Sequence, residues 1–282
     1  MSKKTIGTIL IESGKITSDQ AERINRLQET ENLRFGDAAV KLGFVSETDI
    51  KFAISEQFDF SYLSVEDSDI DRCLLSAFAT EGPEIEEFKR LRSQLTLRWF
   101  EENKSLVICA PRAGCGTSYM SANLAVLFSQ IGKKTLLVDA NFRHPSQHRC
   151  FANPNKLGFS HVLADHLELS IIEPVTGLKN LHVLFNGVQP PNPVELLESS
   201  AFNREHKLLE ENFDVVLYDA PPINEFPETQ LLLSSVGGGI IVVKKGVTQV
   251  ADLEKAKKKF EQVNATPVGA VMNQYTKKQR SR

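Results

Sequence analysis

The sequence is short of several things that would narrow its function at once. It has no surplus of positive charge: 33 Lys and Arg stand against 36 Asp and Glu in 282 residues, a formal net charge of −3. That argues against a general grip on nucleic acid, which favours a basic face. It has no apolar run long enough to cross a bilayer, the longest being stretches such as Gly237 to Val243, and it opens on no secretory leader. A cytosolic protein is therefore expected. Its four cysteines, Cys73, Cys109, Cys115 and Cys150, form no Cys-x-x-Cys pair and suit a reducing compartment. His144 and His148 stand four apart near Cys150, but no second ligand pair with zinc-type spacing accompanies them. The one basic cluster, Tyr275 to Arg282, reads as a solvated end. What is present is an ordinary globular composition, 41% hydrophobic and 24% charged, enough for one large domain and a small one.

Residues 1–62 contain an internal repeat with a period of 29: Gly7 matches Gly36, Gly14 matches Gly43 and Gln28 matches Gln57. Apolar positions keep the register, Ile11 with Val40, Ile16 with Val45 and Ile24 with Ala53. Each copy reads as a short helix, a glycine-punctuated turn and a second helix, with Thr17 and Ser46 as N-caps of the second helices. Neither copy has apolar surface enough to fold alone, so the two are expected to pack face to face. Residues 63–82, acidic and ending in Gly82-Pro83, read as a linker with some local structure.

From Pro83 onward, strand-like runs alternate with amphipathic helices. The strand candidates are 105–110, 135–140, 181–185, 214–220, 239–245 and 267–273, apolar on consecutive residues as strands buried on both faces are. The expected fold is α/β: a doubly wound, mostly parallel P-loop NTPase-type sheet in residues 83–282, preceded by a small helical tandem-repeat domain. Ligands in such sheets sit at the carboxyl ends of the strands, here near Ala110, Asp139, Asp219 and Asn273. The first end leads into Gly114-Cys115-Gly116-Thr117-Ser118, a loop whose amides suit phosphate and whose Ser118 suits magnesium. The second ends in Asp139-Ala140-Asn141-Phe142-Arg143 and the fourth in Asp219, a carboxylate suited to hold the metal.

The segments "EEFKRLRSQLTLRWF", "TLLVDANFRHPSQH", "NGVQPPNPVELL" and "FDVVLYDAPPI" resemble the bacterial tyrosine kinases (BY-kinases) of exopolysaccharide synthesis, in particular the soluble EpsG-type chain-length-determinant kinases. That resemblance implies ATP and Mg²⁺ as cofactors, with Gly114 to Ser118 as Walker A, Asp139 to Asn141 with Arg143 as the second, Walker A-prime, motif and Asp219 as the Walker B aspartate. It also implies Asn273 at the adenine edge, Tyr275 as the phosphoacceptor, and Glu86, Lys89 and Arg92 as a homo-oligomer contact. A membrane polysaccharide copolymerase would be the partner, bringing the chain to the inner membrane from the cytoplasm. In the repeat, Arg34-Phe35-Gly36 with Gly43 and Gln57 resembles the MshE-type domain of secretion ATPases. The resemblance implies cyclic di-GMP binding through Gly7, Gly14, Gln28, Arg34, Gly36, Gly43 and Gln57, although Thr5 stands where the first copy should carry arginine. A docking module with glycines at tight turns is the alternative.

The departures bear on chemistry. Thr117 stands where the BY-kinases carry the Walker A lysine, Cys115 where an acidic residue is usual, and Asn141 where a second aspartate is found; only Tyr275 follows the last strand. Phosphoryl transfer depends on positioning and on neutralising charge, so each loss acts on the same step. Arg112 and Arg143 are the cations placed to compensate. Three readings stay open: a tyrosine-kinase-like ATP-binding protein, a pseudokinase scaffold gated by cyclic di-GMP, and a ParA- or MinD-like ATPase.

Overall fold

A computed structural model describes residues 4–57, 62–63, 68–153, 157–164, 169–172 and 174–273. The chain divides into two compact units, Met1–Asp67 and Ser68–Arg282. Among the described residues no helix is long and apolar enough to cross a membrane.

The first unit is four helices, α1 (Ile6–Glu12), α2 (Ser18–Glu31), α3 (Phe35–Lys41) and α4 (Glu47–Gln57). Its buried core is Ile9, Leu10, Ile16 and Ile24 together with Ala38, Ala39, Val45 and Ala53. The second four are the first four displaced by 29, so the core is the repeat itself. Helix α1 packs on α4 and α2 on α3, each copy completing the other's apolar face. Thr17 and Gln20 form a reciprocal capping box at the start of α2, with Gln20 N–H donating to Thr17 Oγ1 (3.3 Å) and Thr17 N–H to Gln20 Oε1 (2.8 Å). Ser46 and Asp49 repeat it at α4, through Asp49 N–H to Ser46 Oγ (3.2 Å) and Ser46 N–H to Asp49 Oδ2 (2.9 Å).

The second unit begins earlier than the sequence suggests. Residues 68–82, read as linker, belong to it: helix α5 (Leu75–Phe78) lies on α7 (Thr117–Gln130), and Leu74 and Ala77 are fully buried. The buried side chain of Asn123 on α7 fixes this strap, accepting from Ser76 N–H (2.9 Å) and donating to Cys73 O (3.1 Å). Only Asp69, Asp71 and Glu81 of this stretch are acidic, and its buried apolar face is Ile70, Leu74 and Ala77.

Helix α6 (Pro83–Arg98) follows, with Pro83 in its first turn where a missing N–H costs nothing. Six strands then form one all-parallel sheet in the order β3-β2-β4-β1-β5-β6: β1 (Ser105–Cys109), β2 (Thr135–Asp139), β3 (Leu181–Leu184), β4 (Val215–Asp219), β5 (Gly238–Lys244) and β6 (Thr266–Asn273). The connecting helices include α8 (Gln147–Cys150), α9 (Phe159–Leu163), α10 (Pro193–Glu198), α11 (Ser200–Asn212), α12 (Glu228–Val236) and α13 (Val250–Gln262). Every residue of β1, β2 and β4 is buried, which accounts for their unbroken apolar runs. Strand β4 lies between β1 and β2, and its last residue, Asp219, is the register partner of both Ile108 and Asp139. Three loops thus converge at one point of the sheet rim, where the strand order reverses.

Replacing Asn123 by alanine leaves the buried Ser76 N–H without its partner, while Cys73 O keeps the N–H of Leu75. We expect a loss of about 2 kcal/mol, seen as a lower urea midpoint at unchanged slope.

Candidate functional site

The loop after β1 is shaped by two glycines in the left-handed region, Gly114 (φ +78°) and Gly116 (φ +91°). At Gly116 a β-carbon would collide with the Asn273 side chain, whose Nδ2 donates to Cys115 O (3.0 Å). The end of β6 therefore clamps the loop. Helix α7 starts at Thr117, and the N–H groups of Gly114 to Ser118 meet no acceptor among the described residues. Unpaired amides at the N-terminus of a 14-residue helix make an anion site. One amide of the loop is already taken: Ala113 N–H donates to Glu225 Oε1 (3.3 Å).

Beneath the loop lie Asp139 and Asp219, both fully buried. Asp139 accepts from the N–H groups of Gln147 (3.0 Å), Ser146 (3.1 Å) and Asn141 (3.3 Å). Burial, and then the charge of Asp219, push its carboxyl well above the usual range, against the pull of those three amides. Burial also raises Asp219, offset by hydrogen bonding from Ser118, Gln147 and Ser121. Asp219 Oδ2 accepts from Gln147 Nε2 (2.7 Å), whereas Asp219 Oδ1 is buried with no partner. Two buried carboxylates disfavoured as anions, one with an orphaned oxygen beside a serine hydroxyl, form an oxygen donor set that fits Mg²⁺.

The two arginines expected to stand in for lysine are already matched. Arg112 forks onto Asp252, Nε to Oδ2 at 2.8 Å and Nη2 to Oδ1 at 2.9 Å. Arg143 is paired with the buried Glu228 at 2.7 Å and lies 5.0 Å over the Phe226 ring. Asn141 uses its side-chain oxygen to accept from His144 N–H (3.0 Å), so it builds the turn after β2. Thr117 is half exposed at the first position of α7. Cys115 is buried, its Sγ 3.6 Å from Thr248 Oγ1, and behaves as a packed small residue. Tyr275 lies outside the described residues. Gln147 carries no motif signal in the sequence, yet its amide bridges Asp219, Ser118 O (3.1 Å) and Ser121 Oγ (3.3 Å). Asp252, Glu225 and Glu228 were likewise invisible, because each meets its partner across 85 to 140 residues of chain.

No protein-family model matches the chain. The putative tyrosine-protein kinase CapB of Staphylococcus aureus is 34% identical over 189 residues, covering 67% of this chain and 83% of that protein. The tyrosine-protein kinase YwqD of Bacillus subtilis is 33% identical over 67% of this chain and 80% of its own length. Among solved structures, the chimerical protein CapA2B2 superposes with a TM-score of 0.69 at 32% identity, over 74% of this chain and 93% of that one. The chain belongs to the bacterial tyrosine-protein kinases.

Family members with solved kinase domains include the Escherichia coli tyrosine kinase ETK (TM-score 0.64, 26% identity, 70% of this chain and 78% of that one). The septum site-determining protein MinD of Pyrococcus horikoshii, at 20% identity and a TM-score of 0.54, shares the fold. The fold brings the glycine loop, Ser118 and both strand-end aspartates to one place, and residues Gly114 to Ser118 include no lysine.

Outside this centre, Glu86, Lys89 and Arg92 are engaged within the unit. Lys89 Nζ meets Glu86 (2.9 Å) and Thr80 O (2.9 Å), and Arg92 donates to Leu127 O (3.2 Å). In the first unit, a cavity of about 500 Å³ is lined by Thr5, Gly7, Ala21, Asn25, Phe35 and Gln57 among others. Of the seven residues expected to hold a dinucleotide, Gly7 and Gln57 line it. Arg34 precedes α3 as its N-cap, Gln28 lends its carbonyl to the C-cap of α2, and Gly14 and Gly43 occupy turns at φ +69°. A β-carbon on Gly36 would lie 2.9 Å from Ile50, so the space matching the cavity in the second copy is filled.

The carboxylate pair fixes a pH dependence. Groups whose native pKa is raised contribute stability present in full below their unfolded value of about 4 and lost as pH rises through the raised native values. Asp219→Asn should therefore stabilise the metal-free protein at pH 8 by on the order of 2 kcal/mol, with the gain shrinking toward pH 4 in thermal melts.

Proposed function

We propose that this chain is a cytoplasmic, ATP-binding member of the bacterial tyrosine kinases that regulates exopolysaccharide polymerisation or export beside a membrane copolymerase. Main-chain amides of Gly114 to Ser118 receive the phosphates, Ser118 and Asp219 hold Mg²⁺, and Asn273 closes the loop next to the base. Bound magnesium would neutralise phosphate charge and orient the terminal phosphoryl group. Asp139 stays beside it as a carboxylate kept close to its own proton, suited to accept one from a tyrosine hydroxyl. The observation that carries this reading is the row of unpaired loop amides above the orphaned Asp219 Oδ1.

The same geometry limits catalysis. Thr117 supplies no charge, and Arg112 and Arg143 are each bound to a buried carboxylate, so charge developing on the moving phosphoryl group meets amides and metal alone. Ground-state binding survives this better than transfer does, since a missing transition-state cation costs on the order of 10³-fold in rate. The chain then works chiefly as a nucleotide-dependent scaffold, with Tyr275 as its acceptor where transfer persists and with Glu86, Lys89 and Arg92 on the face that contacts a second copy. Millimolar Mg-ADP should raise the melting temperature of the wild type. A phosphotyrosine blot after incubation with Mg-ATP should be faint in the wild type, at least tenfold stronger in Thr117→Lys, and lost when Tyr275→Phe is added. Absence of any ADP or ATP effect in calorimetry and melting would end the nucleotide reading.

The cavity beside Gly7 and Gln57 favours a second role for the first unit, binding of cyclic di-GMP that gates the scaffold. Ala21 is small where its repeat counterpart is Ile50, and that difference leaves the cavity open. Ala21→Ile should abolish the heat of cyclic di-GMP binding while leaving the melting temperature within about 2 °C. No heat with the wild-type protein removes the proposal.

A further inference from the structure

Two of the four cysteines meet at a place the nucleotide chemistry does not use. Cys73 lies in the strap before α5 and Cys150 ends α8; they are 77 residues apart in sequence, with their sulfur atoms 3.6 Å apart. Both are partly exposed, whereas Cys109 and Cys115 are buried. The backbone around them is already joined: Asp71 N–H donates to Cys150 O (2.9 Å), and Cys73 N–H is turned by Asp71 Oδ1 (2.8 Å). On the far side, Asn123 holds Cys73 O. A disulfide needs its sulfurs at about 2.05 Å, so closure asks for an approach of roughly 1.5 Å, within reach of side-chain rotation.

We propose that Cys73 and Cys150 are an oxidation site, forming a reversible disulfide that locks the strap to the turn carrying Gln147. The oxidant is a peroxide. The Cys150 thiolate attacks one peroxide oxygen, breaking the O–O bond and giving a sulfenic acid with release of one water. The Cys73 sulfur then attacks the sulfenic sulfur, its proton leaving with the hydroxyl as a second water, so two thiols and one hydrogen peroxide become one disulfide and two waters. The roles follow from the contact itself, in which the Cys73 S–H donates to Cys150 and favours its thiolate, drawing the Cys150 thiol below its ordinary value.

The lock reaches the carboxylate pair. Gln147 stands three residues before Cys150 on the single turn of α8, where its N–H holds Asp139 and its side chain holds Asp219. Both aspartates are close enough for their charges to act on the Cys150 thiol. Fixing Cys150 to the strap thus restrains the residues that position the two carboxylates, and the restraint exists whether or not nucleotide binds.

The experiment uses the full reduced chain, treated with hydrogen peroxide from one to ten equivalents, alkylated, and mapped by mass spectrometry without reductant. Expected is one cross-linked peptide pair joining Cys73 to Cys150, reversed by dithiothreitol and absent in both Cys73→Ser and Cys150→Ser. Amide exchange across residues 141–151 should slow about tenfold on oxidation, and only in the wild type. Consumption of the two thiols without the cross-link, a cross-link through Cys109 or Cys115, or unchanged exchange in the cross-linked protein would each overturn the proposal.

Discussion

The second unit is organised around one electrostatic constraint: two carboxylates, Asp139 and Asp219, sit side by side and buried at the ends of adjacent parallel strands. Water cannot reach them to compensate, so the chain surrounds them with donors. Three backbone amides serve Asp139, and Gln147 with two serines serves Asp219. One oxygen is still left over. A structure that tolerates this is poised for a divalent cation, because a metal ion removes in one step the penalty that desolvation and like charge impose. The glycine loop above is the matching half, a concave row of amides that offers positive potential and nothing covalent.

The two arginines near the site are held by carboxylates of the fold. Asp252 is almost completely buried and needs a counter-charge, and so does Glu228; Arg112 and Arg143 meet those needs. Moving Arg143 away would leave the buried Glu228 uncompensated, whereas Arg112, largely exposed, is held to Asp252 by a two-point fork. Among the described residues the amides of Gly114 to Ser118 are left unpaired, while both nearby arginines are held by carboxylates.

Much of this architecture was legible in advance. Six strands could be read because strands buried on both faces leave unbroken apolar runs, and the strand-end aspartates because a parallel sheet collects its ligands at one edge. The period of 29 was legible because the core itself obeys it, Ile9 with Ala38 and Leu10 with Ala39 included. The place of the strap had no local signal, since it depends on Leu74, Ala77 and a hydrogen-bonding partner, Asn123, on a helix some 50 residues on. The ion pairs that disarm Arg112 and Arg143 had no local signal at all. Spacing reveals a residue's neighbours on its own element, whereas these pairings are made by the sheet order.

The first unit shows how far a repeat can be trusted as a guide to function. By motif the second copy is the better match to a dinucleotide binder, with Arg34 in place and an apolar Ile54 where the first copy has Asn25. By space the first copy is the better one. A β-carbon at Gly36 would lie 2.9 Å from the Ile50 side chain, so its lack of a side chain serves helix packing. A β-carbon at its counterpart Gly7 would lie 3.1 Å from the Phe35 ring, and there, with Ala21 in the lining, the volume remains open. Two copies that share a fold have therefore divided its uses: one closes its groove to build the core, and the other keeps the groove while lacking the arginine.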